Sequence, residues 1–448
     1  MALQVWLPLI SDVSNNGLSD LTATIMGSGI TYNAGKIGNA AKFPNDPANC
    51  IHMPGLAQKK NFSWAFWYKC LGEGASPYQF ILSEGRDYGI YGINVFLSKN
   101  GKTLYAKIGG DGTAVQHGVT VELNKWYHVA FVVGEDTTKL YLNGVLISEK
   151  GYAEPDYTYS ADRFVIGKMA FSYSATTNYF PFNGLVNDAR IYDHALSVKE
   201  VKEISKAMVL HYTLDETGTI DTTVYDSSGF CNNGIATNIT VESDTPRYSS
   251  CSAFNGSSSY IMVSDNDWMT KYAEEMTINV WAYAANWASQ TNSRLFSCTE
   301  GGGFNTEGGN SGYLRFPIYV ATNETQTSYA YRYDSQEIKI SDLAEGWHMF
   351  TFVYTTSEHR TYIDGEPHHT YADVSYGIRF NTDARLHLGC EATGGGGHTS
   401  PYFNGRESDF RLYYTALSDD DIKALYERPA SADRNGSLYT YEYVEVSS

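Results

Sequence analysis

The chain has 448 residues, of which 14% are aromatic, with 36 Tyr and 41 Gly against only 18% charged residues. That length suits two or three domains, each able to bury a core, and the aromatic and glycine content favours β-sheet joined by turns over a helical bundle or a disordered chain. The formal net charge of −18 is carried entirely by the second half, with 18 basic and 18 acidic residues before Ala207 and 14 basic and 32 acidic from there on, a surface that repels nucleic-acid phosphates and anionic membranes.

In chain order, Leu3-Gln4-Val5-Trp6-Leu7-Pro8-Leu9 opens as a strand and Asp12-Val13-Ser14-Asn15-Asn16-Gly17 as a turn. A stretch centred on Trp67 follows, then two apolar-rich runs, Trp126 to Val133 and Lys139 to Ser148. The second run holds Asn143-Gly144, a dipeptide that readily takes the positive backbone angles of a tight hairpin turn. This half closes on Phe182-Asn183-Gly184, Asp188, Arg190 and Tyr192, then on a short helix opened by Ser197 with Glu200 three residues on, a capping box.

The pattern then restarts. Met208 to Leu214 matches the opening strand, Phe254 matches Phe43 at an offset of 211, and Trp281 matches Trp67 at 214. From Glu345 onward the offset is a constant 221: Trp347 to Tyr354 repeats the Trp126 strand, Asp364-Gly365 repeats the turn, and Phe403-Asn404-Gly405, Asp409, Arg411 and Tyr413 repeat the closing motif. A second short helix opens at Ser418 with Asp421. Such an offset marks a duplicated domain, because solenoid units run to roughly 20 to 50 residues. The copies span residues 1–206 and 207–428, and residues 429–448 read as a polar linker and a terminal strand.

The Trp-centred strand, the Asn/Asp-Gly hairpin, the late glycines Gly167 and Gly389, and the closing Phe-Asn-Gly-x-x-x-Asp-x-Arg-x-Tyr-x-x-Ala-Leu-Ser resemble the laminin-G-like jelly roll of the concanavalin A-like lectin/glucanase superfamily. Asp226-Ser227-Ser228-Gly229-Phe230-Cys231-Asn232-Asn233-Gly234 also resembles that family's early turn. The implied fold is all-β: two tandem antiparallel jelly-roll sandwiches, each with a short helix near its C-terminal end that punctuates the module. The repeated residues are read as architectural, Asp188 and Asp409 as polar partners of Arg190 and Arg411, Trp126 and Trp347 as core.

Some members of the superfamily cleave polysaccharides, which takes two carboxylates about 5 to 5.5 Å apart in the retaining enzymes. The Glu-x-Asp-x-x-Glu strand that supplies them in the glucanase branch is absent, as are a nucleophile elbow, a zinc helix and a phosphate loop. The expectation is no catalysis. No cofactor is required; the one ion this reading admits is a structural calcium, for which Asp265-Asn266-Asp267 and Asp419-Asp420-Asp421 offer oxygens, the latter at a helix start that already favours acids.

Six cysteines, at 50, 70, 231, 251, 298 and 390, do not fall at matching positions in the copies, so free thiols are expected. Met1 to Trp6 lacks the basic start and apolar stretch of a secretory signal, and no run reaches the ~20 apolar residues of a membrane span. Maturation in the cytoplasm is expected. The opening Met-Ala-Leu-Gln-Val-Trp-Leu-Pro-Leu and Gly35-Lys36-Ile37-Gly38-Asn39-Ala40 resemble laminin-G-like proteins encoded among bacteriophage structural genes.

That resemblance implies a non-catalytic component of a virion, in a fibre, tail tip or capsid surface, that adheres to bacterial surface polysaccharide. The alternatives are a purely structural decoration protein and a bacterial surface lectin or cryptic hydrolase. Sugars stack their apolar faces on aromatic rings, while amides and acids take the hydroxyls. The glycine-rich loops then nominate Tyr88, Tyr91, Tyr173 and Tyr179 in the first copy, and Phe304, Asn305, Asn310, Tyr313, His398 and Tyr402 in the second. The terminal strand, Ser437 to Val446, is unstable alone and is expected to add to a sheet edge of its own chain, of a second copy in a homo-oligomer, or of another virion protein.

Overall fold

The computed structural model describes residues 2–85, 92–110, 114–154, 163–170, 180–215, 219–220, 222–264, 268–269, 272–290, 293–299, 301–308, 312–333, 337–381 and 383–427. The chain divides into two compact units, Met1–Lys206 and Ala207–Ser448. The linker and terminal strand expected over 429–448 lie outside the described residues.

In the first unit an eight-stranded sheet packs on a seven-stranded one. The first runs in the order Val145–Gly151, Thr137–Leu142, Trp126–Val133, Phe62–Cys70, Asn183–Tyr192, Asn39–Pro44 and Thr31–Ala34, with Leu3–Leu7 also on Asn183–Tyr192. The second runs Val115–Thr120, Thr103–Ile108, Gly92–Ser98, Tyr78–Gly85, Phe164–Ile166, Cys50–Met53 and Thr24–Met26. Alternation sends Trp64, Phe66 and Tyr68 of one strand, and Val129, Phe131 and Val133 of its neighbour, inward against Ile81, Val95, Leu104 and Ile166 of the other sheet. Each such burial contributes roughly 1.5 to 3 kcal/mol, so the space between the sheets holds the unit together.

The second unit repeats the eight-stranded sheet, ordered Thr240–Glu242, Cys251–Asn255, Asn404–Tyr413, Glu275–Ala284, Gly346–Thr355, Glu358–Ile363 and Glu366–Ala372, with Met208–Tyr212 on Asn404–Tyr413. Its partner layer is interrupted by longer connections and is divided among sheets of six, four, three and two strands. Among the described residues all pairings are antiparallel in both units.

The shared residues do structural work. Asn143 and Gly144 take φ of 49° and 79°, Asp364 and Gly365 take 52° and 80°, and the side-chain oxygens of Asn143 and Asp364 accept the backbone N–H of His128 and Met349 at 2.8 Å each. Asp188 and Asp409, at φ of 54° and 52°, sit where the closing strand shifts register. The Asp188 carboxylate accepts from the Trp6 indole at 2.7 Å and the Arg190 guanidinium at 2.8 Å. Asp409 accepts from Arg411 at 2.7 Å and Arg247 at 2.9 Å, with His211 at 3.0 Å. Burial opposes that charge, yet Arg411, His211 and Arg247 hold the Asp409 carboxyl well below the usual carboxylate range. Gly167 and Gly389 have φ of 96° and 82°, and a Cβ on either would collide with the ring of Phe43 or Phe254.

The early turn is kept by different residues. Asp226 accepts the N–H groups of His211 and Ser228 at 2.9 Å each, whereas the shortened first copy uses Asn15, which accepts those of Trp6 and Gly17 at 2.9 Å each.

Two expectations need correction. Trp126 and Trp347 are half-buried, not core. Tyr127, Val129, Phe131 and Val133 take the inward positions, so Trp126 falls on the outer face opposite Lys69, whose ammonium lies 5.6 Å from the ring. The second helix also does more than punctuate: Asp419–Glu427 buries Ile422 and Leu425 on Trp281, Met349, Val353 and Tyr362, covering the outer face of its sheet.

Among the described residues no helix is long and apolar enough to cross a membrane. All six cysteines are free thiols, five of them buried.

Candidate functional site

The outer face of the first unit's second sheet is where side chains gather without packing on the core. Register places them in two rows. Phe80 pairs with Phe96, Phe96 with Tyr105 and Tyr105 with Gly118; alongside, Ser83 pairs with Asn94, Asn94 with Lys107 and Lys107 with Gln116. Cross-strand partners share a face at about 4.5 to 5.5 Å between Cβ atoms, so one row is a ladder of rings and the other a ladder of polar groups.

The rings stack along the ladder, with centroids of Phe80 and Phe96 4.8 Å apart at 12° and those of Phe96 and Tyr105 5.1 Å apart at 26°. Tyr78 meets Phe96 edge-on at 5.4 Å and Phe180 packs on Phe80 at 5.5 Å. Together with Asn94, Lys107 and Gln116 these rings line a groove of about 240 Å³. Gly118 adds no side chain over Tyr105, which leaves that end of the ring ladder open. Tyr78 is 44% exposed, and Tyr105 and Lys107 are half-buried.

Polar chemistry in the groove is simple. Asn94 is buried and its side-chain oxygen accepts the Ser83 hydroxyl at 2.6 Å. Lys107 forms no ion pair among the described residues, so a half-buried ammonium stands beside the rings. A ring face flanked by an amide and an ammonium suits a ligand with an apolar face and oxygen atoms at its edge.

Of the residues nominated from loops, Tyr88, Tyr91, Tyr173, Tyr179 and Asn310 lie outside the described residues. Phe304 cannot stack a sugar: it is 0% exposed and packs against Phe296, Phe316 and Phe380. Its apparent loop is a bridge in the sheet, paired with Ile318, and Asn305 is buried on the opposite face. Tyr313 is half-buried in the strand Tyr313–Arg315. His398 and Tyr402 are brought together on the hairpin formed by Cys390–Thr393 and Gly397–Tyr402, with His398 Nδ1 3.1 Å from the Tyr402 hydroxyl and its ring 3.9 Å from that of Tyr260.

The groove residues Phe80, Phe96, Tyr105 and Lys107 were not nominated, although Leu104 to Ile108 alternates strictly and Tyr105 and Lys107 sit on its outward positions. For metals, no group of three or more His, Cys, Asp or Glu side chains able to hold an ion occurs among the described residues. Asp419 is engaged by Arg360 at 3.0 Å and Tyr362 at 2.8 Å, and Asp421 by the capping Ser418, so that acidic run is a helix start and does not fit a calcium site; Asp265 to Asp267 lie outside the described residues.

A family model described as the concanavalin A-like lectin/glucanases superfamily matches residues 38–202 and 255–423, most of each unit. A search of the curated proteins found no match. Among solved structures, the chain is similar to domain 4 of AbnA, a GH43 extracellular arabinanase from Geobacillus stearothermophilus, at 23% identity and TM-score 0.36 over 46% of this chain and 98% of that one. It is also similar to domains LG4-5 of the mouse laminin alpha1 chain, at 12% identity and TM-score 0.29 over 90% and 96%. The binding domain of botulinum neurotoxin DC is similar at 12% identity and TM-score 0.39 over 92% and 94%.

Proposed function

We propose, for a chain that belongs to the concanavalin A-like lectin/glucanases superfamily, a non-catalytic carbohydrate-binding role carried in the first unit by the ring-lined groove. The observation that carries it is the pairing of rows: the half-buried Tyr105 and the exposed Tyr78 offer ring surface on a ladder packed from behind by Phe80 and Phe96, while Asn94, Lys107 and Gln116 flank it. The Lys107 ammonium, which has no ion-pair partner among the described residues, favours a saccharide bearing a carboxylate. No carboxylate is among the residues lining the groove, so the site offers binding without an acid and base to cleave what it holds.

The saccharide is proposed to be bacterial surface polysaccharide, and the protein a bacteriophage virion component in a fibre, tail tip or capsid surface. Two features support this: the resemblance of the opening segment to phage structural proteins, and six free thiols, which suit assembly in a reducing cytoplasm.

The test is a glycan array probed with the full chain. Tyr105→Ala is expected to weaken saccharide binding about tenfold, and Lys107→Ala to weaken only carboxylate-bearing ligands. An array without any bound saccharide sinks the binding role, and new reducing ends from a bound polysaccharide sink the non-catalytic one. Mass spectrometry of purified particles tests the virion assignment, which requires the chain in stoichiometric amounts.

A further inference from the structure

The second unit carries a different outer face. Its sheet continues from Phe296–Ser297 through the bridges Ser297 to Asn305 and Phe304 to Ile318 into the hairpin of Ile318–Ala321 and Tyr329–Arg332. Phe304 and Ile318 point into the core, so their neighbours Asn305 and Tyr319 point outward, as does Ser297 opposite Asn305. On this face Glu391 accepts the Thr299 hydroxyl at 2.7 Å and the Ser297 hydroxyl at 3.3 Å, and it pairs with Arg294, which also lies 3.9 Å from Glu307.

On the same face stands a row of tyrosines. Tyr319 pairs with Tyr331 with ring centroids 4.8 Å apart, and Tyr333 follows at 5.8 Å from Tyr331. Tyr331 and Tyr333 are 37% and 42% exposed. Arg379 covers the ring of Tyr329 at 4.0 Å and Arg315 that of Tyr333 at 5.2 Å, whereas no cation lies over Tyr331 among the described residues. Backbone hydrogen bonds from Asn305 to Pro317 at 3.0 Å and from Tyr319 to Gly303 at 2.8 Å hold the tyrosine hairpin directly beside the strand that carries Asn305.

The second, independent observation is Asn305. It is 2% exposed, and its side-chain oxygen has no hydrogen-bond partner among the described residues. A buried amide oxygen left bare costs free energy unless something arrives to donate to it.

We propose that this face is a second saccharide site, with Tyr331 as the stacking platform and Asn305 and Glu391 as acceptors of sugar hydroxyls, selective for neutral, hydroxyl-rich hexose units. The site rests on the carbohydrate-binding reading and extends it to the other unit. Its acceptors call for donors. Arg379 and Arg315 lie over the outer rings of Tyr329 and Tyr333, whereas the acceptor end holds the Glu391 and Glu307 carboxylates, so an acidic sugar seated there meets like charge, the reverse of the groove with Lys107.

The experiment measures binding of the full chain, as wild type, Tyr331→Ala, Tyr331→Phe and Tyr105→Ala, to neutral hexose oligosaccharides and to uronate-bearing ones. Tyr331→Ala is expected to weaken neutral binding about tenfold and leave uronate binding unchanged, and Tyr331→Phe, which keeps the ring, to stay within about twofold of wild type. Tyr331→Phe keeps the ring contacts with Tyr319 and Tyr333, and unchanged uronate binding by Tyr331→Ala shows that the chain is folded. If wild type binds saccharides and only Tyr105→Ala weakens them, the second site is overturned while the first stands. If wild type binds none, the carbohydrate reading fails with it.

Discussion

At the residue scale the duplication supplies its own control. Val186 and Glu407 hold the same place in the two copies, 221 residues apart; the first lies in the core between its sheets, and the second is 0% exposed with neither carboxylate oxygen hydrogen-bonded among the described residues. Burial holds the Glu407 carboxyl well above the usual carboxylate range. Because the folded state binds that proton more tightly than the unfolded chain, the site is least costly below about pH 4, the ordinary glutamate value, and stability drains away as pH rises from there toward the folded value. Glu407→Val restores the residue of the first copy. It is expected to stabilise the second unit by about 1 to 3 kcal/mol at neutral pH, a shift of about 2 to 4 °C per kcal/mol for a domain of this size, with little gain at pH 4. Calorimetry at both pH values checks it, and an equal gain at both would remove the carboxyl as the cause.

Residue identity alone does not show which of two faces is covered, and that set what could be read. Asp188 and Asp409 were legible as partners of their arginines because a carboxylate two positions from a guanidinium on a strand can meet it locally. Phe304 was not, because three glycines before it hid a bridging position behind a loop-like composition. The signal for the tyrosine row was present in Tyr329-Ala330-Tyr331-Arg332-Tyr333, a strict alternation of period two.

At the element scale hairpins and caps were readable because their chemistry is local, as with the left-handed Asn143-Gly144 turn and the Ser197–Glu200 capping box. The groove was not, because it exists only once register brings Phe80, Phe96 and Tyr105 into one row from three strands. Gly118 tests that register. It lies in the strand Val115–Thr120 opposite Tyr105, and a Cβ there would touch the tyrosine ring at 3.4 Å, an ordinary contact. Gly118→Val gives the strand a better β-former while filling the open end of the ring ladder. It is expected to leave thermal stability unchanged or raise it by about 0.5 kcal/mol, and to weaken saccharide binding by the first unit about tenfold. A stable variant with undiminished binding would show that ligand does not use that end of the groove.

At the scale of the molecule the charge is divided with the duplication. The first unit is balanced and the second carries the whole excess of −18, so the chain meets any distant partner as a polyanion even though the Lys107 groove is locally cationic. Long-range fields act on encounter, whereas contacts act on release. The screening length falls from about 30 Å at 0.01 M salt to about 8 Å at 0.15 M, so added salt removes the distant repulsion first. A uronate polymer is therefore expected to associate at least about threefold faster at the higher salt, while a neutral hexose polymer keeps its rate. Surface plasmon resonance across that range separates the two cases. An association rate for the uronate polymer that falls with salt would mean the local ammonium, and not the summed charge of the second unit, governs approach.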